Sequence, residues 1–383
     1  MDVDDTREPH YRSPARELAR EVLIHGPILR SELARRLGLS LATVTRLSKP
    51  LLDSGLLIEL DESADGVMGR PAKPLDVRAE AHQFLGIKLT GDAAVAVTTD
   101  LKANEGRHAE RPLPDHELET VVGIIADLAR DLRGDQPFSS IGISLGGRVK
   151  GRRFIEHALF LGWHSVDLSA ALTERLGVPV TVENDVVALT VAEHWFGLAR
   201  GLSTFAVITV GAGVGYGLVM NDQVANTNDT GRGLGGHIPL DANGPLCALG
   251  HRGCSVAMLT IPSICAQVQV GIGEPVTYEE VLELARAGNP VAREVTSAAG
   301  RALGRLIAAT AYLAMVEHVV LAGEGMTLLT VAYDDVIDAI RADRDPEGSE
   351  MTLLVDDSSF TSWARGAAAV AIQSMLDELA ATP

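Results

Sequence analysis

Residues 179–196 read PVTVENDVVALTVAEHWF, and the fold turns on this stretch. Val180 and Val182 alternate with Thr181 as in a short buried strand, and from Val186 to Phe196 the apolar spacing becomes helical. Asn184 and Asp185 stand at the corner between strand and helix, where Asn184 is also a natural cap for the helix starting at Val186. A glycine-punctuated hairpin follows, FAVITVGAGVGYGLVMND at 205–222. Next comes GRGLGGHIPLDANGPLCALGHRGC at 231–254, where His237, Cys247 and Cys254 lie at close intervals. Each signal is weak alone; in this order and at these spacings they are specific.

Outward from this stretch the pattern repeats. AEAHQFLGIKLTGDAAVAVTTDLKANEG at 79–106 reads as an earlier glycine-turned hairpin, with strands near 83–89 and 93–99. A second pair is expected near 205–211 and 215–220. Helices are expected over 118–132, 186–196, 277–287 and 290–316, with a terminal one in WARGAAAVAIQSMLDEL, and strands in SSIGISLGGRV, VPVTVEND and EHVVLAGEGM. Two similar hairpins imply a duplicated α/β body whose turns face a shared cleft.

A chain of 383 residues has room for two or three domains and a large core. No apolar run is long enough for a bilayer, and the start, MDVDDTREPHYRSPARE, is unlike a secretory signal. Three cysteines are too few for a disulfide framework, so the cytoplasm is the expected compartment and no membrane partner is expected. A net charge of −18 argues against a chain that coats nucleic acid along its length. Yet Arg30, Arg35, Arg36, Arg46 and Lys49 face only Glu32 within 30–49, a local basic patch on an acidic protein.

That patch lies in a helix-turn-helix pattern. SPARELAREVLIHG reads as a helix with Leu18, Val22 and Leu23 inward, ending at Gly26-Pro27. Ser31 is the expected cap of a short second helix with Leu33 and Leu37 inward, closed by Gly38; Ser40 caps a third with Val44, Leu47 and Leu51 buried. Pro50 is expected to end or kink that helix near Lys49. LLIELDES and PAKPLDV read as a two-stranded wing with a Gly69-Arg70-Pro71 tip suited to a minor groove. The candidate DNA contacts are Ser40, Thr43, Thr45, Arg46, Lys49, Arg70 and Lys73. The alternative for this module is a helical dimerisation unit with a solvated basic face.

Glu183-Asn184-Asp185, the two glycine turns, Gly236-His237 and the Cys247–Cys254 loop together resemble the ROK family (repressors, open reading frames and kinases), over about Ser13 to Leu379. The resemblance implies an α/β chain. An N-terminal winged helix-turn-helix (1–80) would precede a two-lobed actin-like ATPase body of the ribonuclease H-like, sugar-kinase type. Its first lobe would span 81–193 with a returning C-terminal helix at 364–380, and its second 194–363, with the zinc loop and the dimerisation surface. It also implies effector contacts from Lys88, Gly147, Asn184, Asp185 and His237, where the family's Asp takes a proton from a sugar hydroxyl and its Asn binds another.

This chain departs from the kinase pattern at telling positions. Family kinases carry an Asp-x-Gly-Gly-Thr type motif in the first turn, whereas here Lys88-Leu89-Thr90-Gly91-Asp92 puts a cation where a magnesium-side acid belongs. Ala212 replaces a Thr in the second turn, and Ala322-Gly323 replaces a glycine pair. Leu234 and Val256 replace two sugar-binding Glu residues, each loss worth about 1.5–3 kcal/mol of affinity. The zinc loop keeps three of four family ligands, His237, Cys247 and Cys254, with Leu249 at the fourth position and His251 nearby as a substitute; the alternative is two buried thiols in a loop that folds without metal.

The expectation is therefore a transcriptional regulator, a repressor, and not an enzyme. It would bind palindromic double-stranded operator DNA as a homodimer or a dimer of dimers. Its cleft would sense a sugar or, because it has become less acidic, a sugar phosphate or sugar acid. Lys88 pairing with Asp185 to leave the cleft without a ligand is an open alternative. Two other functions stay open: a sugar kinase that retains a DNA-binding head, and an effector-independent repressor controlled by a protein partner.

Overall fold

The computed structural model describes residues 13–61, 73–356 and 360–381. It opens with α1 (Pro14–His25), α2 (Arg30–Leu37) and α3 (Leu41–Asp53), followed by antiparallel strands β1 (Leu57–Glu59) and β2 (Leu75–Val77). This is a winged helix-turn-helix. Leu18, Val22, Leu33, Val44, Leu57 and Leu75 are buried together in its core. Gly38 ends α2 at φ 64°, a left-handed corner that a Cβ would strain. The Ser40 hydroxyl accepts from the Thr43 N–H at 3.1 Å and starts α3 as expected.

Two local expectations are corrected. Ser31 caps nothing: α2 already begins at Arg30, with no side-chain cap. Ile28 is held extended by paired bonds to Leu75 (2.9 and 2.8 Å), so the helix begins as soon as the chain leaves that bridge. Pro50 does not end α3, which runs through it to Asp53. The missing N–H deprives the Arg46 carbonyl, but both residues lie on the exposed face where water can serve, and Leu51 and Leu52 pack the last turn onto the core.

The body begins with β3 (Phe84–Leu89), β4 (Ala93–Thr99) and β5 (Glu105–Pro112), then α4 (Leu118–Leu132) and β6 (Ser140–Leu145). A small sheet of β7 (Arg148–Lys150), β8 (Phe154–Ala158) and β9 (Trp163–Val166) precedes α5 (Leu168–Leu176), β10 (Val180–Asn184) and α6 (Asp185–Phe196). The first large sheet has the order β10-β6-β3-β4-β5, with β10, β6 and β3 parallel.

The second half repeats the plan with β11 (Phe205–Val210), β12 (Val214–Met220) and β13 (Gln223–Val224). Helices α7 (Ser255–Leu259), α8 (Ile261–Ile272), α9 (Tyr278–Arg286) and α10 (Pro290–Ala314) follow. Then come β14 (His318–Ala322), α11 (Leu329–Asp343), β15 (Thr352–Val355) and α12 (Phe360–Ala381). The second sheet runs β13-β12-β11-β14-β15, so each sheet is an antiparallel hairpin extended by parallel strands. Both expected hairpins are present, and the duplicated layout is that of the actin-like ATPases.

The last helix returns to the first sheet. A Cβ on Gly86 would lie 1.9 Å from the Ala364 carbonyl oxygen, and one on Gly142 1.9 Å from that of Ala367. Glycine on β3 and β6, and alanine on α12, let backbone approach backbone. Ala368, Ala371, Ile372 and Leu376 of α12, with Trp195 of α6, then complete the same core that holds Leu18, Val22 and Val44 of the head.

Candidate functional site

On the head, the structure separates the basic residues by partner. Arg30 pairs with Glu59, while Arg35 and Arg36 both bind Glu32, whose carboxyl they hold down to about 2 through hydrogen bonds and charge. Arg46 and Lys49 on α3 are exposed and make no ion pair among the described residues. Ser40 and Thr45 are exposed beside them, and Thr43 is half-buried, its hydroxyl 2.9 Å from that of Ser40. Lys73 is exposed at the foot of the wing, its carbonyl taking a bond from Arg30 at 3.4 Å. Arg70 and the wing tip lie outside the described residues.

In the body, β3, β6 and β10 deliver the expected cleft residues to adjacent strand ends. Lys88, 7% exposed, hydrogen-bonds through Nζ to Asp185 Oδ2, and lies 5.1 Å from the centre of the Trp363 ring. Asp185 Oδ1 accepts the Val186 N–H at 2.9 Å, so both carboxylate oxygens are engaged within the chain. Asn184 caps α6, its Oδ1 accepting from Val186 and Val187 at 3.0 and 3.2 Å, while its Nδ2 donates to the Gly147 carbonyl at 2.9 Å. Gly147 is held close to β8: a Cβ there would lie 2.4 Å from the His157 carbonyl oxygen. Glu183 points inward and accepts from the Asn184 N–H at 2.8 Å; burial pushes its carboxyl up, opposed by that bond and by Arg152.

At the mouth of the second sheet, the β11–β12 turn runs Gly211-Ala212-Gly213. The Ala212 N–H donates to Glu324 Oε1 at 3.2 Å.

His237 lies in the third group. Its Nδ1 is 3.8 Å from Cys247 Sγ and 3.7 Å from Cys254 Sγ, and His251 Nδ1 is 3.7 Å from Cys247 Sγ. All four donor atoms lie within 4.8 Å of one another. The loop folds His251 back through paired backbone bonds, Cys247 N–H to the His251 carbonyl at 2.9 Å and Gly250 N–H to the Cys247 carbonyl at 2.9 Å, with Gly250 at φ 83°. Leu249, where the resemblance places the fourth ligand, is 69% exposed. Tetrahedral zinc with bonds near 2.0–2.3 Å sets its ligands roughly 3.5 Å apart, so the set fits a metal of this kind. Burial raises the Cys247 thiol, but backbone donors from Leu249, His251 and Gly250 outweigh it and hold the thiol below its ordinary value; burial raises that of Cys254.

Three site residues escaped the sequence reading. Phe160 is 58% exposed, and a Cβ on Gly146 would lie 3.4 Å from its ring and 3.5 Å from Asp185 Oδ2, so this aromatic edges the cleft. Its signal was an aromatic in the loop before Gly162. Trp363 comes from far along the chain and carried no local signal, whereas Glu324 stands in the glycine turn after β14, next to the Ala322-Gly323 pair that the sequence marks.

Comparison with known proteins agrees with this geometry. The ROK family model matches residues 84–374. The DNA-binding transcriptional repressor Mlc of Escherichia coli (strain K12) is 24% identical over 368 residues, covering 92% of this chain and 90% of its own. The xylose repressor of Bacillus subtilis (strain 168) is 25% identical over 273 residues, covering 70% and 71%. Among solved structures, a ROK family transcriptional regulator described as a homologue of the E. coli Mlc protein superposes at TM-score 0.80 with 23% identity, covering 96% of this chain and 97% of its own. A ROK family glucokinase from Streptomyces griseus, solved with glucose and AMPPNP, superposes at 0.65 with 22% identity, covering 76% and 99%. With both lobes, the Glu183-Asn184-Asp185 corner and the Cys/His loop inside the matched region, the chain belongs to the ROK family.

Proposed function

We propose that this chain is a sequence-specific DNA-binding transcriptional regulator, a repressor, whose kinase-like body senses a sugar or sugar derivative and transfers no phosphate. The observation that carries the second half is the contact of Lys88 with Asp185. In a kinase of this plan the carboxylate must meet the hydroxyl of a sugar, and a divalent metal must sit nearby. Here a buried ammonium holds that carboxylate, and a cation beside a metal opposes the electrostatics of phosphoryl transfer.

The first half rests on α3, where Arg46 and Lys49 stand exposed and without ion pairs among the described residues, next to Ser40, Thr43 and Thr45. Arg46 reads a base edge, Lys49 and Lys73 neutralise phosphates, and Arg70 enters the minor groove. The head (1–80), the first lobe (81–193 with 364–380) and the second lobe (194–363) divide these tasks. Helix α6 runs across the junction at 193 and links them. The chain binds its operator as a homodimer or dimer of dimers in the cytoplasm, and among the described residues no helix is long and apolar enough to cross a membrane.

The effector enters beside Lys88, Gly147, Asn184, Asp185 and His237. With Leu234 and Val256 in place of acids and Lys88 added, a sugar phosphate or sugar acid suits the cleft better than a neutral hexose. His237, Cys247, His251 and Cys254 hold a zinc ion that cross-links the loop; such an ion supplies structural rigidity and no catalytic chemistry.

The test is a mobility shift of the full chain on the DNA upstream of its own gene, repeated over sugars, sugar phosphates and sugar acids. Specific retardation that one of the anionic ligands relieves is expected, with a salt slope that counts the phosphate contacts. Turnover of ATP with any sugar would overturn the reading. A shift that no ligand relieves favours the second reading, a repressor controlled by a protein partner, which the Lys88–Asp185 pair also favours.

A further inference from the structure

The second half of the body carries a carboxylate, Glu324, for which the regulator reading gives no role. After β14 the chain turns through Gly323-Glu324-Gly325. Close approach requires both glycines. A Cβ at 323 would lie 2.4 Å from the Val210 carbonyl oxygen, and one at 325 would lie 2.6 Å from Val210 Cγ1. Gly323 also has φ +96°, which a side chain would strain. The turn is thereby pressed onto the end of β11, and Thr327 Oγ1 fixes it by donating to the Glu324 carbonyl at 3.1 Å.

This placement carries the Glu324 carboxylate over Gly211 and Ala212. Its Oε1 takes the Ala212 N–H, and it fills the space a side chain at 211 would need: a Cβ there would lie 2.2 Å from Oε1 and 2.4 Å from Cδ. A glycine-flanked turn that offers a backbone N–H at a strand end is a seat for an oxyanion. Carboxylate and phosphoryl oxygens compete for such a donor, and two anions exclude each other from one seat.

We propose that Glu324 is a built-in anion seated on the Gly211–Gly213 turn, so that the intact chain rejects phosphoryl ligands there and a chain without the carboxylate accepts them. The proposal rests on the non-catalytic reading of the body and deepens it. The chain supplies its own cation, Lys88, against Asp185 beside the first sheet, and its own anion, Glu324, against the glycine turn of the second. The recognised chemistry is a phosphoryl group, whether of free pyrophosphate or of a nucleotide.

The experiment is calorimetric titration of the full chain, and of E324A and E324Q, with inorganic pyrophosphate and with ATP. Glu324 is exposed, so both variants are expected to keep the parent melting temperature. E324A should bind pyrophosphate at least tenfold more tightly than the parent. E324Q, which keeps an acceptor but loses the charge, should fall between them. A gain for ATP larger than for pyrophosphate assigns an adenosine contact as well, and equal gains assign the phosphoryl seat alone; either supports the proposal. Equal binding, or equal absence of binding, by parent and E324A for both probes overturns it. Operator retardation is read separately, so loss of the regulator reading would leave this result standing.

Discussion

Lys88 holds the Asp185 carboxylate from within the chain. Its side chain is 8% exposed and its partner Asp185 16%, so the pair lies largely out of water. Removing one member of a buried pair strands the other, which costs about 3–5 kcal/mol. Lys88→Met should therefore destabilise the chain by about 3 kcal/mol, the lower end because Asp185 keeps some solvent. The double change Lys88→Met with Asp185→Asn should recover most of that loss. Denaturant unfolding of the four proteins of this cycle reads the coupling, and additive losses would show that the contact contributes nothing. His194 gives a residue-scale prediction in pH. Burial lowers its imidazole below the ordinary 6.5, with Asp222 opposing and Arg20 and His25 assisting. A histidine that the fold prefers neutral contributes its full stability above pH 6.5 and loses it as pH falls from there through the folded value. His194→Gln should thus flatten the fall in melting temperature between about pH 7 and 5. The difference from the parent is the quantity to read, because buried Glu183 and Glu193, both raised, act with the opposite sign.

At the scale of elements, α12 is seated by what β3 and β6 lack. Gly86→Ala would push a methyl into the Ala364 carbonyl, and neither backbone can yield without moving a strand or a helix. The expected loss is about 3 kcal/mol or somewhat more, above the usual range for an added methyl, read as a drop in melting temperature. The Cys/His loop carries a second prediction. Metal analysis of the purified chain should find about one zinc per chain, and Cys247→Ser should remove it and lower the melting temperature. Retention of the ion in that variant would mean that Cys247 is not needed to hold it. Elements such as these were legible where their signals were local. Ser40 and Gly38 mark helix ends through their own chemistry, and alternating valines mark β10. Ser31 misled because a tertiary bridge, Ile28 to Leu75, sets the start of α2. Pro50 does not end its helix because the last turn is held from the other face. Within the cleft, Lys88 and Asp185 were legible as motif positions, and their contact was left open. Trp363 and the contact of Glu324 with Ala212 were not legible, since each meets its partner only after most of the chain has folded.

At the scale of the whole molecule, one helix joins what the sequence describes as separate parts. α6 begins at Asp185, in contact with Lys88, and ends at Trp195 and Phe196, where Trp195 enters the core shared by the head and α12. Its 12 residues span about 18 Å. The far end is fastened by Arg365, which donates to the Phe196 carbonyl and to that of Ala103, both at 2.9 Å. A ligand that competes for Asp185 therefore acts on the first residue of a rod whose last turn is embedded beside α1. No flexible tether lies between them along this path. A coupling of about 1–3 kcal/mol would suffice for a 5- to 150-fold change in operator affinity. Trp195→Ala tests the connection, because the residue is 4% exposed and far along the rod from the cleft. The cavity should cost about 3–5 kcal/mol of stability. Trp195→Phe, which keeps most of the packing, should cost less and fold normally. If α6 carries the signal, the Phe variant binds operator in a mobility shift but responds more weakly than the parent to the relieving ligand. If its response is unchanged, the lobes reach the head by another route, and the contact between copies in the proposed dimer becomes the place to look.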